Sequence, residues 1–265
     1  MSAADNTGSK PDLINRGDKG SNPVGIATFV ISRAVDPFIQ YAILKHGFGT
    51  GLLHKVGVNT LPPGPPAATG IAPIDALGLS PYRLALLGMS VGSMLKQNYW
   101  AMFVAQERMS TGAALAVGVF NFVFNTFSSL AFLADVTSAS TSSEFPQTPF
   151  LVGSAMYVTG LLGEWVSEVQ RKNFKMDPKN KGKLYTGGLW SLARHINYGS
   201  YTLWRAGYAL VGGGWTMAAV VGAFFFYDFS QRAVPILDKY CTERYGEDWA
   251  GFKQQTPYKL FPYIY

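Results

Sequence analysis

The sequence predicts an all-α integral membrane protein, a bundle of about five to six spanning helices. Two observations predict this class. Of the 265 residues, 48% are hydrophobic and only 14% are charged, whereas soluble domains usually carry about 25% charged residues. The apolar residues also form blocks of the length, about 20 residues, that a helix needs to cross a bilayer core. A soluble helical bundle is the alternative, and the long uncharged stretch at 111–134 argues against it.

The predicted spans follow the apolar blocks in chain order. Residues 84–105 and 111–134 are the clearest, and 150–169 make a third. Residues 24–44 form a fourth block that contains Arg33 and Asp36, so this helix either turns its polar face inward or lies partly in the interface. Residues 198–230 are too long for one simple span and are interrupted by glycines at 212–214, which predicts a helical hairpin or a kinked pair.

The other segments are predicted to be tails and connections. Residues 1–23 are polar, which is typical of a disordered tail, and residues 24–265 are interpreted as one transmembrane domain. The connection 46–80 is rich in glycine and proline and is expected to lie over the membrane surface, with a substrate lid as the alternative. Residues 135–149 read as a polar loop, and 236–252 as an amphipathic C-terminal helix that carries the single Cys241 as a structural residue.

Several polar side chains fall inside the predicted spans. Lys96 needs a carboxylate, a cavity or a route to the interface, because an ammonium is costly in hydrocarbon. Asn121 and Asn125 share a helix face and favour helix packing over ligand contact. Glu164 and Glu168 precede a basic loop; Glu168 is interpreted as a solvated residue at the helix end, and the deeper Glu164 as a candidate site residue.

The loop after this helix is strongly basic. Between Arg171 and Arg194 there are seven Lys or Arg residues and one acid, Asp177. Such a loop attracts anionic ligands, and the preference for positive charge on the inner side predicts that it is cytosolic. Counting spans from the loop then places both termini in the cytosol as well.

Two separated motifs resemble a known family. The first motif consists of Gln170-Arg171, Phe174-Lys175, Pro178, Asn180-Lys181-Gly182-Lys183, Gly188-Leu189-Trp190 and Arg194-His195-x-Asn197-Tyr198. The second motif, at the end of the chain, consists of Arg244-Tyr245-Gly246-x-Asp248-Trp249, Pro257-Tyr258-Lys259 and Phe261-Pro262-Tyr263-Ile264-Tyr265. Both are similar to the C-terminal half of the steroid-reductase-like membrane proteins. That group includes steroid 5α-reductases, sterol C14 and C7 reductases, the lamin B receptor's membrane domain, and small fungal and bacterial relatives.

The resemblance implies an NADPH-dependent reductase of a carbon-carbon double bond in a sterol-like or other isoprenoid lipid, in the endoplasmic reticulum of a eukaryote. Residues 164–265 would form the cofactor-binding part. The implied cofactor-binding residues are Lys175, Lys181, Lys183, Trp190, Arg194, His195, Asn197 and Tyr198. Tyr198 and Glu164 are the catalytic candidates. The Tyr198 phenol either donates a proton or packs with its hydroxyl on the cofactor, and His195 either serves the same end or bonds a phosphate or ribose.

The motif departs from the family at two points. Ile196 replaces a usual proline, and Ser200 and Tyr201 stand where an acidic residue is usual. Two alternatives therefore stay open: an S-adenosylmethionine-dependent methyltransferase of the isoprenylcysteine carboxyl type, whose cofactor has no phosphates, and a non-catalytic sterol-binding relative. The sequence has no Gly-x-Gly-x-x-Gly fingerprint, no metal-ligand spacing among its three histidines and no nucleic-acid motif. It predicts neither the oligomeric state nor the individual substrate.

Overall fold

The structure is a computed structural model that describes residue 18, residues 20–140 and residues 145–265. Most of the predicted N-terminal tail therefore lies outside the described residues. Over the described ranges the chain forms helices and connections, with one isolated antiparallel bridge between Thr60 and Ala134. The all-α prediction is confirmed.

Nine α-helices follow one another along the described chain. They are α1 (Pro23–His46), α2 (Gly51–Lys55), α3 (Ala72–Asp75), α4 (Pro81–Tyr99), α5 (Thr111–Leu133), α6 (Thr148–Met176), α7 (Ile196–Asp228), α8 (Val234–Tyr245) and α9 (Glu247–Gln255). Short π-helical segments, Trp100–Val104 and Phe229–Ala233, extend α4 and α7, and 3-10 turns, Pro178–Asn180 and Gly188–Ser191, lie between α6 and α7.

Helix α7 is a hairpin. Gly213 and Gly214 have non-helical dihedrals, and Gly214 takes a φ of +68°, which glycine adopts without strain. The two halves, residues 196–212 and 215–228, therefore run back along each other. The Phe225 ring lies 5.2 Å from the Tyr201 ring, and the Phe229 ring lies 4.6 Å from the Tyr198 ring. The hairpin alternative of the sequence prediction is confirmed.

Two stretches are long and apolar enough to cross a membrane, Thr111–Leu133 and Ile196–Tyr245. Helix α1 is of spanning length but carries charge, and it turns that charge inward. Arg33 and Asp36 are 0% exposed, whereas Ile31 and Phe38 on the same helix are 62% and 76% exposed. An apolar outer face and a polar inner face are what a bilayer environment requires, so the inward alternative for this helix is the correct one.

Glycines bring α6 and α7 into close contact. A Cβ added at Gly160 would lie 2.5 Å from the Trp204 nitrogen and 2.6 Å from the Ser200 carbonyl oxygen, and one added at Gly207 would lie 2.6 Å from the Gly153 carbonyl oxygen. The backbones of the two helices are therefore nearly in contact, as in small-residue packing between membrane helices.

We expect Gly160→Ala to lower the stability of the protein by about 1 to 3 kcal/mol, the usual cost of overpacking. The added methyl group meets backbone atoms, which move only if the helices separate. The matched control is Gly112→Ala in α5, where an added Cβ has nothing within 4 Å; it should be neutral or slightly stabilising because alanine favours helix. Thermal unfolding in detergent micelles measures both. Equal melting temperatures for the two variants would contradict the close packing.

The connection 46–80 caps the end of the bundle where α5 finishes and α6 begins. It contains the short helices α2 and α3, which the sequence did not predict. The Arg83 guanidinium donates to the carbonyl oxygens of Leu44, Leu61 and Pro62 at 2.6, 3.0 and 2.8 Å. These bonds hold the connection in place, and the basic loop after α6 lies at the opposite end.

The prediction of one C-terminal helix over 236–252 is wrong. Gly246 has φ 51° and ψ −117°, and it separates α8 from α9. The Trp249 indole of α9 then reaches back to donate to Asp238 Oδ1 of α8 at 2.9 Å. The break allows α9 to fold beside α8 instead of continuing along it.

Candidate cofactor site

The Arg194–Tyr198 motif is held in place by the C-terminal segment. The backbone N–H of Arg194 donates to the Tyr258 carbonyl at 2.9 Å, and that of His195 donates to the Lys259 carbonyl at 2.7 Å. Arg194 and His195 come just before α7, so these two bonds fix the start of α7 against the C-terminal segment. The two motifs that carry the family resemblance therefore form one unit in space.

Arg194 uses its side chain for the same attachment. The guanidinium is 8% exposed, and Nη1 donates to the carbonyl oxygens of Thr256 and Pro257 at 2.6 and 3.1 Å. Burial lowers the pKa of this guanidinium below its ordinary value. Arg194 thus holds the motif against the C-terminal segment. Its guanidinium is buried and bonded to backbone carbonyls, unlike an exposed side chain that could bind a phosphate directly.

Glu168 belongs to the site, and its interpretation as a solvated residue is wrong. Its side chain is 8% exposed, because the start of α7 covers the end of α6. Oε1 accepts from the Asn197 amide at 2.7 Å, and Oε2 accepts from Arg171 at 2.6 Å. The carboxylate therefore orients the Asn197 amide and leaves its oxygen, Oδ1, buried without a hydrogen-bond partner among the described residues.

Trp190 packs beneath this pair. Its indole donates to the Ser167 carbonyl at 2.8 Å, and the Arg171 guanidinium lies 4.7 Å from the ring centroid. A cation over an indole face is a stabilising contact. Trp190 therefore packs against Arg171, which pairs with Glu168. The Arg171 guanidinium occupies one face of the indole ring.

The aromatic rings of the motif are stacked. Tyr198 lies parallel to Phe229 at 4.6 Å with an interplanar angle of 7°, and the His195 ring lies 6.0 Å from the Tyr198 ring at 18°. Offset stacking fixes ring orientation at small energetic cost. The Tyr198 phenol is half-buried and keeps a defined direction beside Asn197.

The loop lysines fall into two groups. Lys175 is engaged within the protein, because its Nζ donates to the Lys183 carbonyl and to the Tyr245 hydroxyl. The side chains of Lys181 and Lys183 are exposed. Lys183 borders an open cleft of about 400 Å³, together with Glu247 and Asp248 of α9. The lining of the cleft thus includes one cationic and two acidic residues.

Glu164 lies one turn deeper along α6 than Glu168, about 6 Å by helical rise. One of its oxygens pairs with Lys96 Nζ, and the other accepts from the Trp204 indole at 2.8 Å. Lys96 is 3% exposed, so of the three alternatives, a carboxylate, a cavity or a route to the interface, the structure shows the carboxylate. Glu164 neutralises this ammonium inside the bundle.

A second, apolar cleft of about 190 Å³ opens between α6, α7 and the C-terminal segment. It is bordered by Gly163, next to Glu164, and by Ile196 and Gly199, which flank the Asn197–Tyr198 pair. A small lipophilic group held there would lie beside the motif.

The structure brings Trp190, Arg194, His195, Asn197 and Tyr198 together and leaves Lys181 and Lys183 at the outer rim. Sequence reasoning missed Glu168 and the backbone carbonyls of the C-terminal segment. The spacing of Glu164, Glu168 and Arg171, which places all three on one helix face, was a signal for including Glu168 in the site. Side-chain patterns carry no signal for a backbone carbonyl. Among the described residues, no group of three His, Cys, Asp or Glu side chains could hold a metal ion.

Comparison with known proteins places these features in a family. Residues 93–256 match the family described as protein of unknown function (DUF1295). The chain is 43% identical over 237 residues to a probable O-methyltransferase of Ustilaginoidea virens, a match that covers 88% of this chain and 84% of that protein.

Shorter matches connect the chain with sterol reductases. It is 31% identical over 87 residues to a Delta(14)-sterol reductase of Candida albicans, covering 33% of this chain and 19% of that protein. It is 33% identical over 102 residues to a Delta(14)-sterol reductase of Schizosaccharomyces pombe, covering 36% of this chain and 22% of that protein. The matched region thus spans about a fifth of the length of each reductase.

Proposed function

We infer the function of this chain from its family, because it belongs to the DUF1295 family, which is part of the steroid 5α-reductase family. We propose that it is an integral membrane enzyme that reduces a carbon-carbon double bond of a sterol-like or other isoprenoid lipid with NADPH. The observation that carries the proposal is the arrangement of Asn197 and Tyr198. Glu168 holds the Asn197 amide and Phe229 stacks on the Tyr198 ring, and the exposed Lys181 and Lys183 precede this motif in the basic loop. The shorter matches to two sterol reductases support it.

The residues present fit a nicotinamide dinucleotide at two points. Lys181 and Lys183 are exposed and would meet its phosphates. The buried Oδ1 of Asn197 has no partner among the described residues and would accept an N–H, such as that of a carboxamide. Arg194 would support the cofactor by positioning the motif, since its guanidinium bonds backbone carbonyls.

NADPH supplies the hydride in such a reduction. The protein's own part is to exclude water, hold the lipid beside the motif and provide a proton. The Tyr198 hydroxyl is the proposed proton donor, because a phenol is neutral near pH 7 and its ring direction is set by stacking. Glu164 would hold Lys96 and Trp204 in place at the inner edge of the site.

A second candidate is methyl transfer from S-adenosylmethionine to a lipophilic acceptor. It is favoured by the probable O-methyltransferase that shares 43% identity with this chain. The cleft beside Lys183 also favours it, because Glu247 and Asp248 line the same cleft. A wall with both charges would suit the ammonium and carboxylate of that cofactor.

Binding of NADPH, NADH and S-adenosylmethionine to the purified protein separates the two candidates. We expect NADPH to raise the melting temperature most, because a ligand that binds only the folded state stabilises it. The double variant Lys181→Gln with Lys183→Gln should weaken NADPH more than NADH, which lacks the 2′-phosphate, and added salt should shrink the difference. Lys55→Gln, on the connection at the other end of the bundle, is the control. Stabilisation by S-adenosylmethionine and not by NADPH would replace the reductase by the methyltransferase.

The proposal includes a topology of six spans, in which α7 supplies two. The basic loop and both termini would face the cytosol, in the endoplasmic reticulum of a eukaryote. The first described residues, the basic loop and the C-terminal helices lie at the same end of the bundle, as this topology requires. We expect a Lys179→Cys variant in sealed microsomes to react with a membrane-impermeant thiol reagent without permeabilisation. Cys241 is replaced by Ser in the same background, and labelling only after permeabilisation would overturn the assignment.

A further inference from the structure

Six buried polar side chains form a closed ring of hydrogen bonds inside the bundle. Arg33 Nε donates to Gln97 at 2.6 Å, Gln97 donates to Asn121 at 2.7 Å, and Arg205 donates both to Asn121 and to Asn125, the latter at 2.9 Å. Asn125 then donates to Asp36 at 2.5 Å, and Arg33 Nη1 donates to Asp36 at 3.1 Å. We call this set the polar ring. It joins α1, α4, α5 and α7, and each member is at most 7% exposed.

The polar ring carries a surplus of positive charge. Arg33 and Arg205 are both cations, and Asp36 is the one carboxylate bonded to them among the described residues. The nearby Lys96 is neutralised by Glu164. One positive charge is thus not matched by a carboxylate, in a place where side chains are almost fully buried and an unpaired charge is costly. The rings of Phe124, Tyr201 and Trp204 lie 4.2 to 5.7 Å from the Arg205 guanidinium and offset part of that cost.

The group left without a partner is a donor. Asp36 accepts four hydrogen bonds, from Arg33, Gln40, Ser90 and Asn125. The side-chain oxygens of Gln97, Asn121 and Asn125 are also occupied. Arg33 Nη2, in contrast, is buried and has no hydrogen-bond partner among the described residues. What the polar ring lacks is therefore an acceptor for Arg33 Nη2, and the surplus positive charge favours a negative one.

We propose that the polar ring binds the anionic oxygen of a lipid-soluble ligand, a carboxylate or a phenolate-type oxygen, through Arg33 and Arg205. A guanidinium presents paired donors that suit a carboxylate, and charge-assisted bonds are strong where water is excluded. Arg205 lies seven residues beyond Tyr198 on α7, about 10 Å along the axis. The candidate cofactor site is thus within the reach of a lipid-sized ligand anchored at the polar ring. The inference stands whichever cofactor binds there.

The test uses the full chain in nanodiscs of phosphatidylcholine, with oleate and oleyl alcohol as probes. The two molecules share one apolar chain and differ in the anionic group. We expect oleate to raise the melting temperature and oleyl alcohol to have a much smaller effect. Replacing chloride by gluconate in the buffer should leave the preference for oleate unchanged. Equal stabilisation by oleate and oleyl alcohol, or a chloride effect with no preference for oleate, would overturn the proposal.

Two variants locate the binding to the polar ring. Arg33→Gln removes the surplus charge and the unpartnered donor, so the affinity for oleate should fall by about tenfold or more. Lys179→Gln removes one exposed charge from the basic loop and should leave oleate affinity unchanged. An equal loss in both variants would show surface attraction and contradict the proposal. If Arg33→Gln does not fold, Lys179→Gln decides the result, because a preference for oleate that falls when one exposed loop charge is removed contradicts the proposal. The NADPH titration is independent, so failure of one proposal does not imply failure of the other.

Discussion

Lys96→Met is expected to lower the free energy of unfolding by about 3 to 5 kcal/mol, the cost of removing one partner of a buried ion pair. Lys96 is 3% exposed and Glu164 is 14% exposed. Without the ammonium, the Glu164 carboxylate keeps the Trp204 indole as its hydrogen-bond donor and loses its counter-charge. Thermal and denaturant unfolding in detergent micelles measure the loss.

Two controls separate the ion pair from packing. The double variant Lys96→Met with Glu164→Gln removes both charges and should recover much of the stability, because no uncompensated charge remains. Arg108→Met breaks the Arg108–Asp18 pair, in which the side chains are 52% and 42% exposed, and should cost less than about 1 kcal/mol. If Lys96→Met is as stable as Arg108→Met, the ammonium and carboxylate are not buried together.

Arg194→Met is expected to reduce stability and cofactor binding together. Each hydrogen bond from a charged donor contributes about 1.5 to 3 kcal/mol, and this guanidinium donates to the Thr256 and Pro257 carbonyls. Losing both should release the C-terminal segment from the motif and cost about 3 kcal/mol in total. NADPH affinity should fall by more than tenfold because His195 and Asn197 lose their support.

The pattern of the two losses identifies the role of Arg194. Arg194→Lys keeps the charge and loses the planar donor geometry, so it should restore little of the stability. A fall in NADPH affinity with an unchanged melting temperature would mean that Arg194 contacts the phosphate directly. A fall in both supports the positioning role.

The helical class and the family could be predicted from the sequence. Apolar blocks predicted helices, and the glycine interruption predicted that α7 is a hairpin or a kinked pair, because these features depend on local composition and backbone freedom. The motif around Arg194 and the C-terminal motif predicted the family for the same reason: each is a short, contiguous run of residues. The sequence allowed two interpretations of the helix with Arg33 and Asp36: its polar face turns toward the bundle, or the helix lies partly in the membrane interface.

The sequence by itself determined the helical class, the basic loop and the family, since periodicity, composition and short motifs are properties of the chain alone. Only the tertiary structure decided which polar groups meet. It paired Lys96 with Glu164, placed Glu168 under Asn197, bound Arg194 to backbone carbonyls, and closed a ring between Arg33 and Arg205. These contacts join residues 29 to 84 positions apart. The rotation and crossing of each helix set which side chains face one another, and no local pattern encodes that choice.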